Sequence, residues 1–145
     1  MSRQIKNIIA ITVFLICIGL INVAGQNIEI EIRGMNAFTF ILIIAVLLQV
    51  IFFIPSFLLK TEKYYDLVGS LTYVTTVSLA YFAVENKTMI DSIIYFYVMV
   101  WALRLGIYLF RRVRNDGKDV RFEKAKRHFF WFLQYWMGQA LWVSL

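Results

Sequence analysis

Arg104 stands inside the apolar run Ile90 to Phe110, where a guanidinium demands a carboxylate, a phosphate or water. Beyond that run lie Arg111, Arg112, Arg114, Lys118, Arg121, Lys124, Lys126 and Arg127. Eight cations in so short a stretch can hold anionic lipid headgroups or the phosphates of a nucleotide. They also suit the ordinary positive bias of a cytoplasmic loop. The chemistry open to them is binding rather than bond cleavage. There is no glycine-rich phosphate loop and no nucleophile beside a base. His128 is the single histidine and Cys17 the single cysteine, so no set of partners completes a metal site or a disulfide. His128 reads as an interface residue.

Other polar residues recur at helical spacing inside apolar runs. Asp66, Ser70 and Tyr73 share one face, with Thr76 close by; Tyr97, Trp101, Arg104 and Tyr108 share another. Tyr135 and Gln139 share a third, with Gln134 near it. Helix–helix hydrogen bonds explain the Thr and Gln residues, each worth about 0.6 kcal/mol in a membrane.

These residues need a frame, and composition says which. The 145 residues are 61% hydrophobic and 17% charged, with a mean hydropathy of +0.70. Soluble domains run near 45–50% apolar and about 25% charged. Five apolar stretches approach the roughly 20 residues that a spanning helix requires. They cover 8–24, 36–59, 67–84, 90–110 and 129–145, joined by short connections and one basic loop, 111–128. With no water for the backbone in lipid, they must be helices, so an all-α polytopic bundle is expected. Arg3 and Lys6 precede the first stretch as in a signal peptide, but Asn22-Val23-Ala24 is a poor cleavage site, so it reads as a retained helix.

With the amino terminus in the cytoplasm, twelve of the 15 basic residues fall on inner segments: Arg3, Lys6, Lys60, Lys63 and the eight of the loop. Arg33 and Lys87 fall outside. That asymmetry predicts five spans and turns the net charge of +6 into a membrane-side feature rather than a nucleic-acid surface. On this topology Asp66 stands at the cytoplasmic start of the third helix and Arg104 lies about 10 Å inside the cytoplasmic end of the fourth, so an Asp66–Arg104 ion pair is expected. Asn115-Asp116-Gly117 signals a turn, and Asp119 is a plausible N-cap for a helix entering the fifth span. Ile28 to Arg33 alternates as an extended surface segment; with no partner strand visible, it reads as an ordered loop. The Asn86-Lys87-Thr88 sequon hugs the membrane, and no glycan is expected on it.

Four segments resemble the uncharacterised membrane branch of the steroid 5-alpha-reductase family. They are Lys63-Tyr64-Tyr65-Asp66-Leu67-Val68-Gly69-Ser70-Leu71-Thr72-Tyr73, Trp101 to Arg112, Gly117-Lys118-Asp119-Val120-Arg121-Phe122, and Trp136 to Ser144. The likeness covers roughly residues 38–145. It implies the amino-terminal membrane portion of an oxidoreductase that reduces a carbon–carbon double bond in a lipid, such as a sterol, with NADPH. It also sets Arg104 near the cofactor, with Arg111, Arg112, Lys118 and Arg121 lining its entrance. Relatives continue past the fifth helix with most of their cofactor motifs, so this chain alone is expected to lack reductase activity. Pro55-Ser56-Phe57 matches a family segment, but Phe52 and Phe53 stand where steroid reductases carry a Gln-Glu pair. The proton-donating glutamate is therefore unmatched. The competing class is a non-catalytic membrane component or helper subunit that packs on another membrane protein.

Overall fold

The computed structural model describes residues 2–116 and 119–145. Five α-helices account for most of it: α1 (Arg3–Ala24), α2 (Ala37–Leu58), α3 (Tyr65–Ala83), α4 (Met89–Asp116) and α5 (Phe129–Ser144). Three of them open on side-chain caps, one being Thr88 before α4, whose hydroxyl accepts from the Asp91 amide at 3.2 Å. Ser2 accepts from the Ile5 amide at the start of α1, and Asn36 accepts from Phe38 and Thr39 at the start of α2. Three helices are long and apolar enough to cross a membrane: Arg3–Ala24, Ala37–Leu58 and Met89–Asn115. α3 carries a row of Ser and Thr, and α5 has 16 residues, about 24 Å of rise, so neither matches them.

α2, α3 and α5 pack on one another at the centre; α4 packs chiefly on α3, and α1 chiefly on α5. Phe53, Val68, Phe132, Trp136 and Met137 form the main core, completed by Phe122 from the basic loop. Ile18, Leu42 and Ala140 form a second core between α1, α2 and α5.

The alternating segment has a partner after all. Glu31–Ile32 (β1) pairs antiparallel with Met35–Asn36 (β2), Ile32 opposite Met35. Arg33 and Gly34 both take positive φ, 55° and 76°, which makes the two-residue turn that matches strand twist. The partner is two residues long and merges into the Asn36 cap, so no alternation betrays it.

Candidate functional site at the basic end

Six charged residues from four segments meet where α3 begins and α4 ends. Arg121 spans two carboxylates: its guanidinium donates to Asp119 Oδ2 at 2.5 Å and to Asp66 Oδ2 at 3.3 Å. Arg112, near the end of α4, lies 3.7 Å from Asp66 and 3.6 Å from Asp119. Asp119 also accepts from the Arg121 amide at 3.0 Å, closing a tight turn. Behind this layer, Glu62 takes the Lys126 ammonium at 2.6 Å on one oxygen and the Asp119 amide at 3.2 Å on the other. The acids are the buried members. Glu62, Asp66 and Asp119 side chains are 3%, 11% and 8% exposed, whereas Arg112 and Arg121 keep 40% and 51%.

Aromatic packing holds the loop in place. Phe122 is 1% exposed, and its ring lies 4.7 Å from that of Tyr65 and 4.8 Å from that of Tyr135. The Tyr65 hydroxyl donates to the Tyr135 carbonyl at 2.9 Å, tying α3 to α5, and burial pushes that phenol's pKa up. Residues 119–127 of the basic loop are therefore folded against the bundle end.

Several expectations are corrected by this arrangement. Asp66 does not meet Arg104; Arg112 and Arg121 occupy it instead. The reason is azimuthal. Ser70 of α3 packs on Ala102 and Gly106 of α4. Arg104 is two residues, or about 200°, from each and points away from α3. It is exposed and makes no ion pair among the described residues. Asp119 does not cap α5, because a further turn and the 3-10 segment Ala125–Arg127 intervene; His128 takes that place without a side-chain bond.

The expected polar faces divide similarly. Ser70 donates to the Ala102 carbonyl at 2.6 Å and Tyr73 to the Trp142 carbonyl at 3.0 Å. Thr76 bonds within its own helix, while Gln139 packs its amide on Gly69. The inter-helix bond between Gln49 and Thr72, 3.0 Å, was not singled out by spacing.

Of the cations expected to face a cofactor, Arg112 and Arg121 are largely neutralised by Asp66 and Asp119. Arg104 and Arg111 stay open, two turns apart on one exposed face with Tyr108 between them. Lys118 lies outside the described residues. Phe53, at one of the positions where the resemblance would place the Gln-Glu pair, is 3% exposed and stacks on Phe57 at 5.7 Å.

A family model described as protein of unknown function (DUF1295) matches residues 52–145. The chain belongs to the DUF1295 family. This family is associated with steroid 5-alpha-reductase-like proteins. The DUF1295 match takes in all six residues of the charged cluster. No curated protein and no solved structure matches the chain.

Hydrogen bonds from Arg121 hold the Asp119 carboxyl below its usual range. A carboxyl lowered by folding supports the fold above its unfolded pKa and withdraws that support as pH falls through the folded one. Acidification from about pH 5 through the usual carboxylate value, near 3.9, is expected to lower Tm less in Asp119→Asn than in the parent chain. Asp66 runs the other way: burial, ahead of the attraction of Arg121, raises its carboxyl. Thermal unfolding in detergent across that range reads the difference. Equal slopes would remove Asp119 from the acid response.

Proposed function

We propose that the chain is a membrane-embedded part of a steroid-5-alpha-reductase-like oxidoreductase that reduces a lipid carbon–carbon double bond with NADPH. It would cross the bilayer five times, amino terminus in the cytoplasm, in keeping with the basic residues of its inner segments. The DUF1295 match carries the reading. The geometry supports it in two ways. A cavity of about 320 Å³ lies between α2 and α3, walled by Phe52, Pro55, Leu59, Leu67 and Val68 with the Tyr64 ring at its side. Such a wall suits a sterol or another apolar lipid. Tyr64 stacks on Phe110 at 6.2 Å, so this cavity adjoins the α4 turn that carries Arg111.

The exposed Arg104–Tyr108–Arg111 stripe fits a dinucleotide phosphate: two cations without carboxylate partners among the described residues stand about 10 Å apart with an aromatic ring between them. NADPH, when bound, supplies the hydride. The chain's part would be to anchor phosphate on Arg104 and Arg111 and to hold the lipid in a dry pocket. Protein reconstituted in nanodiscs is expected to bind NADPH more tightly than NADH, with Arg104→Ala and Arg111→Ala each weakening NADPH about tenfold. Equal, weak binding of both nucleotides, indifferent to either substitution, would overturn the cofactor role. That outcome favours the second reading, a non-catalytic membrane component. Phe53, buried among rings where the family's proton donor would fall, favours it now.

A further inference from the structure

On the other side of the bundle from α4, the first turns of α1 and α5 enclose a cavity of about 500 Å³. Arg3, Gln4 and Asn7 line it from α1; Arg127, His128 and the first residues of α5 line it from the opposite wall. A second hollow of about 440 Å³ shares Arg3, Arg127, His128 and Trp131 and adds Lys124 and Glu123. The chemistry of the lining is uneven in an informative way. The Arg3 guanidinium lies 4.7 Å over the Trp131 ring, and the His128 ring stacks on the other partner of that contact at 6.1 Å. Neither Arg3 nor Arg127 has an ion-pair partner among the described residues, in contrast to Arg112, Arg121 and Lys126. α5 begins here with no side-chain cap, so the free amides of its first turn add positive potential to the same space.

Asn7 provides an independent pointer. It is 8% exposed, yet its side-chain amide makes no hydrogen bond among the described residues. The amide lines the cavity and is open to it, unlike the fully enclosed unpaired groups of Gln49, Trp136 and Gln139. An oxygen-rich ligand in the cavity would satisfy it.

The surroundings say what kind of ligand. α1 is one of the three helices able to cross a membrane, and Arg3 begins it, which sets the cavity at the end of an apolar span. Ile8, next to Asn7 on α1, and Phe130 of α5, in the cavity wall, stand exposed. A soluble anion would leave those surfaces bare, whereas a lipid covers them with its acyl chains. We infer that this cavity binds the phosphate of an anionic phospholipid, held by Arg3, Arg127 and the Asn7 amide, with the acyl chains against the outer faces of α1 and α5. It is separate from the α4 stripe and stands or falls without the reductase reading.

The full chain in a neutral detergent, titrated with phosphatidylglycerol, tests it by lipid-bound peaks in native mass spectrometry and by Tm. The parent chain is expected to retain one tightly held phosphatidylglycerol and to gain Tm relative to phosphatidylcholine. Arg3→Ala and Arg127→Ala should each weaken that lipid about tenfold. Arg114→Ala removes the same charge from the same end of the bundle, outside the cavity, and should leave it unchanged. Asn7→Leu, which fills the space without a donor, should lose the lipid while keeping or raising the lipid-free Tm. Equal losses in Arg114→Ala and Arg127→Ala would mean diffuse attraction and overturn the site. Inorganic phosphate producing the same stabilisation at equal concentration would overturn the lipid as its source.

Discussion

Glu62→Ala is expected to cost about 3 kcal/mol and lower Tm by roughly 10 °C. The carboxylate is 3% exposed and serves two clients, the Lys126 ammonium and the Asp119 amide. Its loss strands a buried N–H and frees the lysine, and the second effect is the milder because Lys126 can still reach water at 21% exposure. The damage should be local. Glu62 joins the α2–α3 connection to both ends of the loop that carries Phe122, so that loop should open before the helices separate. Trypsin at Arg121, Lys124, Lys126 and Arg127 should then cut faster than in the parent chain. Glu62→Gln keeps an acceptor for the Asp119 amide and should lose about half as much. A loss below about 0.5 kcal/mol, the scale of an exposed pair, would show that the network does not hold the loop.

The helices themselves were largely legible because each apolar run is long and the lipid leaves the backbone no alternative. Expected and observed ranges agree within two or three residues for α2, α3 and α5. α4 runs past the apolar stretch to Asp116, since Arg111, Arg112 and Arg114 are good helix formers that need not be in lipid. α1 starts at Arg3 rather than at the first apolar residue because Ser2 caps it. Number and orientation of spans rest on charge bias alone; three helices meet the length and apolarity of a span.

The site was less legible. Arg104 and Asp66 were matched by depth, and depth says nothing about which way a side chain points. A usable signal was present, for Ala102 and Gly106 are small residues one turn apart and mark the side of α4 that approaches a neighbour. That pattern turns Arg104 outward, two residues from each. Glu62 gave no such sign, being one acid in a short connection with no periodicity. Its partners, Lys126 and the Asp119 amide, lie more than fifty residues away and are chosen by the fold.

Gly106→Val is expected to detach α4, at a cost of about 3 kcal/mol or more, with Gly106→Ala losing about 2 kcal/mol. A Cβ at position 106 would lie 2.5 Å from the Ser70 Cβ, against a backbone-fixed atom that no rotamer can move aside. Relief requires the two helices to part by about 1 Å, to ordinary contact distance. Ser70 is 8% exposed and donates to the Ala102 carbonyl at 2.6 Å, a bond that such a shift breaks. Tyr73 on Trp101, at 5.2 Å, and Tyr81 on Tyr95, at 4.3 Å, belong to the same seam and would loosen with it. Since α4 packs chiefly on α3, little else retains it. The second-site test separates close packing from hydrogen bonding. Ser70→Gly removes the opposing Cβ and should restore part of the Tm lost in Gly106→Ala, although it also deletes the hydroxyl. Ser70→Ala deletes the hydroxyl but keeps the Cβ, so it should restore nothing. Rescue by both, or an unchanged Tm in Gly106→Ala, would contradict a seam set by the approach of Gly106 to Ser70.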